Sequence, residues 1–322
     1  TKRYDMRIIG TGVSIPELKV TNDMIAEFLD TNDEWISTRT GIKERRLIST
    51  KNLFHLAADA ASKALESAGK KATDMDLIIC SNVANSYVTP SLSSIVQGII
   101  KATCPCFDIN NACTGFLTGL DIADAYISSG KYKNILLICA EEPSRFCDWG
   151  DRNASILFGD AAGAVVLTEG EGLKKIITTT VSMTDVLYYR RKLEPSPFVK
   201  KDENYKALQM VGKEVFKTAV TSSTRDITRV ISECGMVPSD IDLFILHQAN
   251  LRINDSIRQH LDLPEEKFPH NLDKYGNTSS ATIPLLLDEQ LKAGKIKNGD
   301  ILCFSAFGAG FSTGACIMKW NA

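Results

Sequence analysis

Several features that would mark a membrane, secreted or nucleic-acid-binding protein are scarce or missing in this sequence. No apolar run approaches the roughly 20 residues that a membrane-spanning helix needs, and no apolar signal-peptide segment follows Thr1. The formal net charge of -2 argues against a general nucleic-acid or membrane-surface binder. The nine cysteines are odd in number and scattered, which suits reduced thiols better than a disulfide framework. We therefore expect a cytoplasmic protein with neither nucleic-acid nor membrane partners.

A metal site is not expected either. Cys104 and Cys106 form a close pair, but no second pair and no histidine lie nearby, and the chain has only four histidines in all. What the sequence does have is ordinary globular composition, with 44% apolar and 24% charged residues over 322 residues. That length allows two domains of ordinary size or one large α/β unit.

The first candidate site is a strand-to-helix junction at Cys113. A short apolar strand ends at Ile109, and a helical pattern follows that Gly130 ends. The apolar positions of that pattern are Phe116, Leu120, Ala123 and Ile127. A thiol at a helix N-terminus ionises more readily, which would make Cys113 a nucleophile. The alternative is that Cys113 is a small buried apolar residue.

Two parts of the sequence repeat one another. Residues 57–80 predict a helix, a glycine stop and a strand, and residues 223–246 predict the same series. The matching positions, each pair 166 residues apart, are Gly69 and Gly235, Asp74 and Asp240, and Asp76 and Asp242. We infer an internal duplication of a βα unit, with halves at 1–170 and 171–322 whose sheets pack into one layered body.

The repeat brings further polar residues toward Cys113. Later in the chain the offset is 164, and adding it to Cys113 gives Asn277, which also precedes a helical pattern. We therefore expect Cys113 and Asn277 to be symmetry mates near one central point. His247 follows an apolar strand, at the strand end where open α/β sheets place ligands, although it could also be a core histidine. Together they would supply a nucleophile, an imidazole and an amide donor.

Two other stretches are candidates for binding. Trp35 and Arg39 would share a helical face that can stack on and pair with a flat anionic ligand. The alternative is a core tryptophan beside a solvated arginine. Residues 183–205 contain prolines and many charges, which predict a surface excursion, either a lid or a solvated loop.

These residues resemble β-ketoacyl-acyl carrier protein synthase III, the initiating condensing enzyme of fatty-acid synthesis in the thiolase-fold superfamily. The resemblance spans nearly the whole chain and is carried by six motifs in order. They are Asp33–Ile42, Asn111–Phe116, Phe158–Ala164, His247–Asn250, Gly276–Ser279 and Phe307–Phe311. It implies a thiolase-like five-layer αβαβα fold of two pseudosymmetric halves, usually found as a homodimer.

The resemblance also implies an acyltransferase reaction. Cys113 would take an acyl group from acyl-CoA, and the acyl-enzyme would condense with malonyl-acyl carrier protein and release CO₂. His247 and Asn277 would donate hydrogen bonds to the enolate that decarboxylation forms. The backbone N–H groups of Cys113 and Ala309 would stabilise the oxyanion, and Phe307 would gate between the half-reactions. No metal or redox cofactor is expected.

Substrate and partner sites follow from the same resemblance. Trp35, Arg39 and Arg152 would hold the adenine end of CoA. A basic patch for the acyl carrier protein would contain Arg252, Arg258 and, as a weaker candidate, Lys217. Each of these charges is also compatible with a simple solvated side chain.

Two departures from the family pattern concern the acyl group. Asn110 and Asn111 stand where small apolar residues are usual. Thr89 stands where the partner subunit of many members lends a phenylalanine to floor the acyl pocket. The smaller threonine suggests a longer or branched acyl group.

Other functions are compatible with some of these residues. A relative with the same site could serve a specialised pathway. A thiol hydrolase could use a Cys, His and Asn set, but the duplicated halves and the Trp35 segment would then have no role. A non-catalytic partner of the same fold is disfavoured because all three polar groups are present.

Overall fold

The computed structural model describes residues 5–321. The strands in this range are β1 Met6–Ser14, β2 Leu18–Thr21, β3 Glu44–Leu47, β4 Leu77–Ser81, β5 Cys106–Ile109, β6 Asn134–Glu141, β7 Ala161–Glu169, β8 Leu173–Thr180, β9 Leu187–Tyr188, β10 Gln209–Met210, β11 Leu243–Leu246, β12 Ile301–Gly308 and β13 Ser312–Lys319. The α-helices are α1 Asn22–Ala26, α2 Asp33–Thr40, α3 Leu53–Ser67, α4 Leu92–Ile100, α5 Gly115–Ser128, α6 Arg152–Ser155, α7 Gly212–Glu233, α8 Leu251–Leu261, α9 Leu272–Tyr275 and α10 Thr282–Lys292.

Two mixed sheets and three helical layers form the body of the protein. The first sheet has the order β1-β7-β6-β4-β5, and the second has the order β11-β12-β13-β8. Helices α5 and α10 lie between the sheets and contact strands of both. Helix α3 covers the outer face of the first sheet, and α7 covers that of the second. The predicted five-layer αβαβα architecture is confirmed.

Small residues allow helix and sheet to approach closely in the first half. Ala57, Ala60 and Ala64 of α3 are fully buried against the sheet. Beneath them, a Cβ added to Gly12 of β1 would lie 2.3 Å from the carbonyl oxygen of Ala60. The helix therefore rests directly on the strand backbone, which explains its alanine-rich face.

The predicted repeat positions make equivalent hydrogen bonds in the two sheets. Asp74 and Asp240 each accept a hydrogen bond from the backbone N–H three residues earlier, at 2.7 and 2.8 Å. Asp76 and Asp242 each accept one from the first N–H of a neighbouring strand, β6 or β12, at 2.9 and 2.7 Å. Both pairs thus fix the entry into a central strand. The division into halves at residues 170 and 171 stays a prediction.

The predicted symmetry mate of Cys113 is wrong by three residues. Helices α5 and α10 each follow a short 3₁₀ turn that opens with a left-handed residue, Ala112 (φ 47°) in one half and Ser279 (φ 55°) in the other. Cys113 therefore corresponds to Ser280 and not to Asn277. Helix α10 has 11 residues where α5 has 14, so the offset falls by three only after the helices.

The boundaries of two helices differ from those that the sequence indicates. The apolar residues Ile25, Phe28 and Leu29 after Thr21 predict a short helix with Thr21 as its cap. Thr21 does cap α1, accepting a hydrogen bond from a backbone N–H in the first turn, but the helix ends at Ala26, so Phe28 and Leu29 lie in the turn after it. Helix α7 begins at Gly212, well before the predicted start at Ser223, because an apolar face continues toward its N-terminus.

Three findings bear on the chemistry that the sequence disfavours. All nine cysteines are free. Within residues 5–321, no cluster of His, Cys, Asp and Glu side chains has the geometry to hold a metal ion. No helix in that range is both long and apolar enough to cross a membrane.

Candidate active site

A single cavity of about 800 Å³ collects most of the predicted site residues. This volume lies within the usual range for small-molecule sites. The predicted residues that line it are Trp35, Arg39, Cys113, Arg252, His247, Asn277, Phe307 and Ala309. The structure therefore joins the proposed CoA-binding and catalytic positions in one continuous space.

Cys113 sits in the 3₁₀ turn between β5 and α5, beside the turn that connects β12 and β13. A Cβ added to Gly308 would lie 2.7 Å from the backbone nitrogen of Cys113. That close approach places the next residue, Ala309, beside the nucleophile. It is consistent with the expectation that the two backbone N–H groups share an oxyanion, a role that stays a prediction.

The thiol of Cys113 is harder to ionise than expected. Burial raises the pKa of Cys113 to about 12, while a contact of 3.5 Å with the Ser279 hydroxyl opposes the shift. This direction is opposite to that of the readily ionised thiol that the sequence predicts. Desolvation of the charged sulfur outweighs the opposing contact with Ser279.

His247 is a buried, neutral imidazole. Its Nδ1 lies 2.7 Å from the hydroxyl of Thr282, the first residue of α10. Burial lowers the pKa of His247 to about 3. Its Nε2 is buried and has no hydrogen-bond partner among the described residues. The ring of Phe307 packs edge-on against the imidazole at 5.2 Å, so Nε2 is the one polar atom that His247 offers to a ligand.

Asn277 is held by the backbone of the glycine-rich motif that follows α6. Its N–H donates to the carbonyl of Leu157 at 2.8 Å, and its carbonyl accepts from the N–H of Gly159 at 3.0 Å. A Cβ on Gly159 would lie 2.1 Å from the carbonyl oxygen of Tyr275, so only glycine fits there. The Asn277 side-chain oxygen accepts a hydrogen bond from the N–H of Ser279 at 2.8 Å. The amide nitrogen is thereby left to serve as a donor to the cavity.

Two guanidinium groups lie over the indole ring of Trp35. Helix α2 begins with a cap in which Asn32 accepts a hydrogen bond from the N–H of Trp35 at 2.8 Å. The Cζ atoms of Arg39 and Arg152 lie 4.3 and 4.7 Å from the centre of its ring. Arg152 also donates to the carbonyl of Asp30. The predicted stacking face on α2 is therefore present, and its role toward CoA stays a prediction.

The three predicted carrier-protein residues are in different environments. Arg252 is exposed at the cavity, with its Cζ 5.9 Å from the ring of Phe216. Lys217 is exposed on α7. Arg258 is half-buried and donates to the carbonyl of Leu263 at 3.0 Å. Residues six apart on a helix point about 120° apart, so Arg252 and Arg258 do not share a face.

The two departures from the family pattern lie in different places. Thr89 is on an exposed loop and does not line the cavity of its own chain. Asn111 lines the cavity and is half-buried. Its amide nitrogen donates to Thr118 of α5 at 2.8 Å, and its oxygen accepts from Ser312 of β13 at 3.0 Å. Asn111 thus ties the turn that holds the nucleophile to both neighbouring elements.

The 183–205 segment is a surface excursion, as predicted. Strand β9 within the segment pairs with β10, which follows the segment, and both strands line the cavity. Residues 190–204 are exposed. At the tip, Ser196 and Val199 exchange two backbone hydrogen bonds of 3.1 Å, and Phe198 is 96% exposed. Tyr189 stacks on Phe146 at 4.8 Å beside the cavity. A lid and a solvated loop both remain compatible with this arrangement.

Sequence reasoning missed a buried acid near the nucleophile. Glu141, at the end of β6, is fully buried and accepts hydrogen bonds from Val83 N–H (3.0 Å) and from the hydroxyls of Ser280 (2.6 Å) and Ser279 (3.3 Å). Burial raises its pKa to about 7. A signal was available, because an apolar strand that ends in two glutamates puts a carboxyl at the ligand-binding end of the sheet.

Comparisons with known proteins agree with this geometry. The sequence model of 3-oxoacyl-[acyl-carrier-protein] synthase III matches residues 107–185, and the model of its C-terminal part matches residues 231–320. The β-ketoacyl-[acyl-carrier-protein] synthase III of Aquifex aeolicus is 41% identical over 98% of this chain and 99% of that protein. A crystal structure of the Aquifex aeolicus synthase III superposes with a TM-score of 0.92 at 39% identity, covering 98% of this chain and 100% of that chain. The priming β-ketosynthase of the R1128 polyketide pathway superposes with a TM-score of 0.92 at 30% identity, covering 99% and 97%.

Because burial holds the pKa of His247 near 3, we expect its ring to stay neutral throughout pH 5 to 9. Long-range ¹H–¹⁵N spectra of protein labelled at histidine should show no shift of the His247 resonances over that range. His270 is the internal control, because the hydrogen bond that its ring donates to the Asp273 carboxylate raises its pKa and it should titrate. A His247 midpoint near neutral pH would contradict the prediction.

Proposed function

The chain belongs to the 3-oxoacyl-[acyl-carrier-protein] synthase III family, and we propose that it condenses an acyl-CoA primer with malonyl-acyl carrier protein to start fatty-acid synthesis. One observation carries the proposal. Cys113, a neutral His247 and the amide of Asn277 converge in a single cavity that also reaches the stacked Trp35. The cavity is lined by Trp35 and by Cys113, so one ligand with a flat head group and a reactive tail could contact both.

Acylation comes first. The sulfur of Cys113 attacks the thioester carbonyl, a new C–S bond forms, and the bond to CoA breaks. The proton of the thiol leaves with the CoA sulfur. The tetrahedral oxyanion forms between the N–H groups of Cys113 and Ala309, where a preorganised donor pair stabilises charge that develops only during the reaction. Because the Cys113 thiol is neutral at rest, negative charge appears only during the attack, where these donors stabilise it.

Condensation follows at the other polar groups. Loss of CO₂ from the malonyl group leaves an electron pair that is delocalised as an enolate. The Nε2–H tautomer of His247 and the amide nitrogen of Asn277 donate to the enolate oxygen. The enolate carbon then attacks the acyl carbonyl, the C–S bond to Cys113 breaks, and the thiolate that leaves takes a proton from solvent water. In the required tautomer, the Thr282 hydroxyl donates to Nδ1.

We propose that this chemistry needs neither a metal nor a redox cofactor. Each step moves electron pairs without net oxidation or reduction, and hydrogen-bond donors stabilise both oxyanion and enolate. CoA binding uses Trp35, Arg39 and Arg152, with the adenine replacing one of the guanidinium groups on the indole. We also propose that the reaction takes place in the cytoplasm.

A specialised pathway is the second candidate. The observation that favours it is the structural likeness to a priming ketosynthase of polyketide biosynthesis. The same Cys113, His247 and Asn277 chemistry would serve there, and the primer or acceptor would differ. The choice of primer depends on the end of the acyl pocket, to which we assign Thr89 of the partner subunit.

Because Thr89 of a partner subunit would form the end of the acyl pocket, we propose that the protein is a homodimer. The edge strand β5 has a strand partner on one side only within the described chain, and α4 packs against it. Tyr87, Val88 and Ile99 of this region are exposed apolar side chains, 48%, 74% and 45% accessible. An unpaired edge strand flanked by apolar side chains favours pairing with a second copy. Thr89 would then project toward the partner's cavity and leave more room there than a phenylalanine.

The acyl carrier protein is the proposed partner of the cavity mouth. Arg252 and Lys217 are exposed near Phe216, beside the opening through which a carrier-bound malonyl group must enter. An acidic carrier would be attracted by these charges. Arg258 contributes less, because its guanidinium group is committed to Leu263.

The function is tested by incubating the protein with a panel of straight and branched acyl-CoAs and weighing it intact. At least one donor should leave a stable acyl adduct that maps to Cys113, and Cys113→Ala should accept none. Adding malonyl-acyl carrier protein should remove the adduct and release CO₂, whereas removal only by malonyl-CoA would favour the specialised pathway. If no donor acylates the protein, or if Cys113→Ala is still acylated, the proposal fails.

For the carrier patch, Arg252→Glu should raise the KM for malonyl-acyl carrier protein about tenfold, since charge at an interface rim mainly steers association. Lys71→Glu is the matched control, because Lys71 is an exposed lysine that does not line the cavity. Its KM should equal that of the wild type. Equal KM values for the two variants would refute the assignment of Arg252.

Sedimentation velocity tests the dimer. The wild-type protein should sediment at twice the chain mass, and Ile99→Asp should weaken association because it buries a charge in the proposed interface. Val237→Asp changes an equally exposed apolar residue, 55% accessible, away from β5 and should remain dimeric. A monomeric wild type at micromolar concentration would disprove the proposal.

A further inference from the structure

The buried carboxyl group of Glu141 accepts hydrogen bonds but forms no ion pair among the described residues. It lies at the end of β6 with no exposed surface. Its hydrogen-bond donors include the N–H of Val83 and the hydroxyls of Ser279 and Ser280. Within the described part of the chain, no lysine, arginine or histidine forms an ion pair with it. A buried carboxylate satisfied only by neutral donors is costly, so its position requires a reason.

Ser279 connects this acid to the reacting groups. Its hydroxyl oxygen lies 3.3 Å from a carboxyl oxygen of Glu141 and 3.5 Å from the sulfur of Cys113. Its backbone N–H donates to the side-chain oxygen of Asn277 at 2.8 Å. Its left-handed φ of 55° is uncommon for serine and sets the hydroxyl between acid and thiol.

A hydroxyl group has one proton to donate. While that proton is donated to the Glu141 carboxylate, only lone pairs of Ser279 face Cys113, so the hydroxyl accepts the S–H of a neutral thiol. When negative charge develops on the sulfur, the same hydroxyl can rotate and donate to it. The bond to Glu141 is then lost. The two acceptors therefore exclude one another.

We propose that Glu141 and the sulfur of Cys113 compete for the single hydroxyl proton of Ser279. Ser279 contacts the reacting sulfur directly, and Glu141 is a positioning residue that acts through it. The inference rests on the proposed function only in assigning Cys113 as the nucleophile. In the resting protein Glu141 holds the proton of Ser279 and the thiol stays neutral. During attack and release, the charged sulfur takes the hydrogen bond instead.

Few other titratable groups surround this pair. The thiols of Cys80 and Cys139 lie near Glu141 on β4 and β6, and burial raises the pKa of both, so they stay protonated. His247 lines the same cavity as Cys113 and is neutral. The carboxyl of Glu141, with a pKa raised to about 7 by burial, is thus the nearest group whose charge changes near neutral pH.

Alkylation of Cys113 by iodoacetamide, followed by mass spectrometry of the Cys113 peptide from pH 6 to 10, tests the competition. Glu141→Gln should speed alkylation about tenfold at pH 8, because the charged competitor is gone. That advantage should shrink at pH 6, where the wild-type Glu141 is itself protonated. Ser279→Ala should slow alkylation about tenfold, because the thiolate loses its donor.

Opposite shifts are the signature of competition, since a structural defect would move both variants in one direction. Ser144→Ala is the matched control, because it removes another buried hydroxyl bonded to a buried carboxylate, Asp160, at 2.6 Å. It should leave the alkylation profile unchanged. Shifts of Glu141→Gln and Ser279→Ala in the same direction, or no shift in either, would overturn the proposal.

If Glu141→Gln does not fold, Ser280→Ala replaces it. Removing the 2.6 Å donor leaves the Glu141 carboxylate more dependent on Ser279, so alkylation should slow, and faster alkylation would refute the competition. The assay uses no acyl-CoA. A protein that shows these shifts but accepts no acyl group would keep this inference and lose the proposed reaction.

Discussion

Contact between backbone segments at the centre of the molecule is the constraint on which the rest of the structure depends. At Gly308 and Gly159 the chain passes so close to another segment that a single added carbon would overlap it. Gly115 is as restricted, because its Cβ would meet the hydroxyl of Ser81 at 1.8 Å. The turns that bear Cys113 and Asn277 are therefore located by packed main chain, which is far stiffer than a side chain. Reactive groups held this way lose little freedom when substrate binds.

The same packing removes the reactive groups from water. It leaves Cys113 as a thiol and His247 as a neutral imidazole, so neither of these two reacting groups carries charge at rest. Charge then develops only along the reaction, at positions where N–H and hydroxyl donors already point. In a site of low dielectric constant such donors act strongly on a transient charge and weakly on a neutral ground state.

Local sequence patterns predict the helices, strands and turns of this fold well, but they predict contacts between distant segments less well. The Asp74 and Asp240 turns were found from sequence because each acts within three residues of itself. The residue that corresponds to Cys113 in the second half was wrongly predicted. The offset between the two repeats depends on the lengths of α5 and α10, which no local pattern determines. The ionisation of Cys113 was missed because burial arises from distant segments. The contacts of Ser279 with Glu141 join residues 138 positions apart, so sequence spacing holds no trace of them.

The stacked arrangement of Arg39, Trp35 and Arg152 has a consequence for turnover. In the proposed CoA complex, an adenine ring stacked on the indole would displace one of these cations, and the cation would return when the nucleotide leaves. The lost cation–indole contact, about 0.5 to 2 kcal/mol, would offset part of the free energy of adenine binding. On the proposed function, this offset would favour release of spent CoA before the carrier enters the same opening.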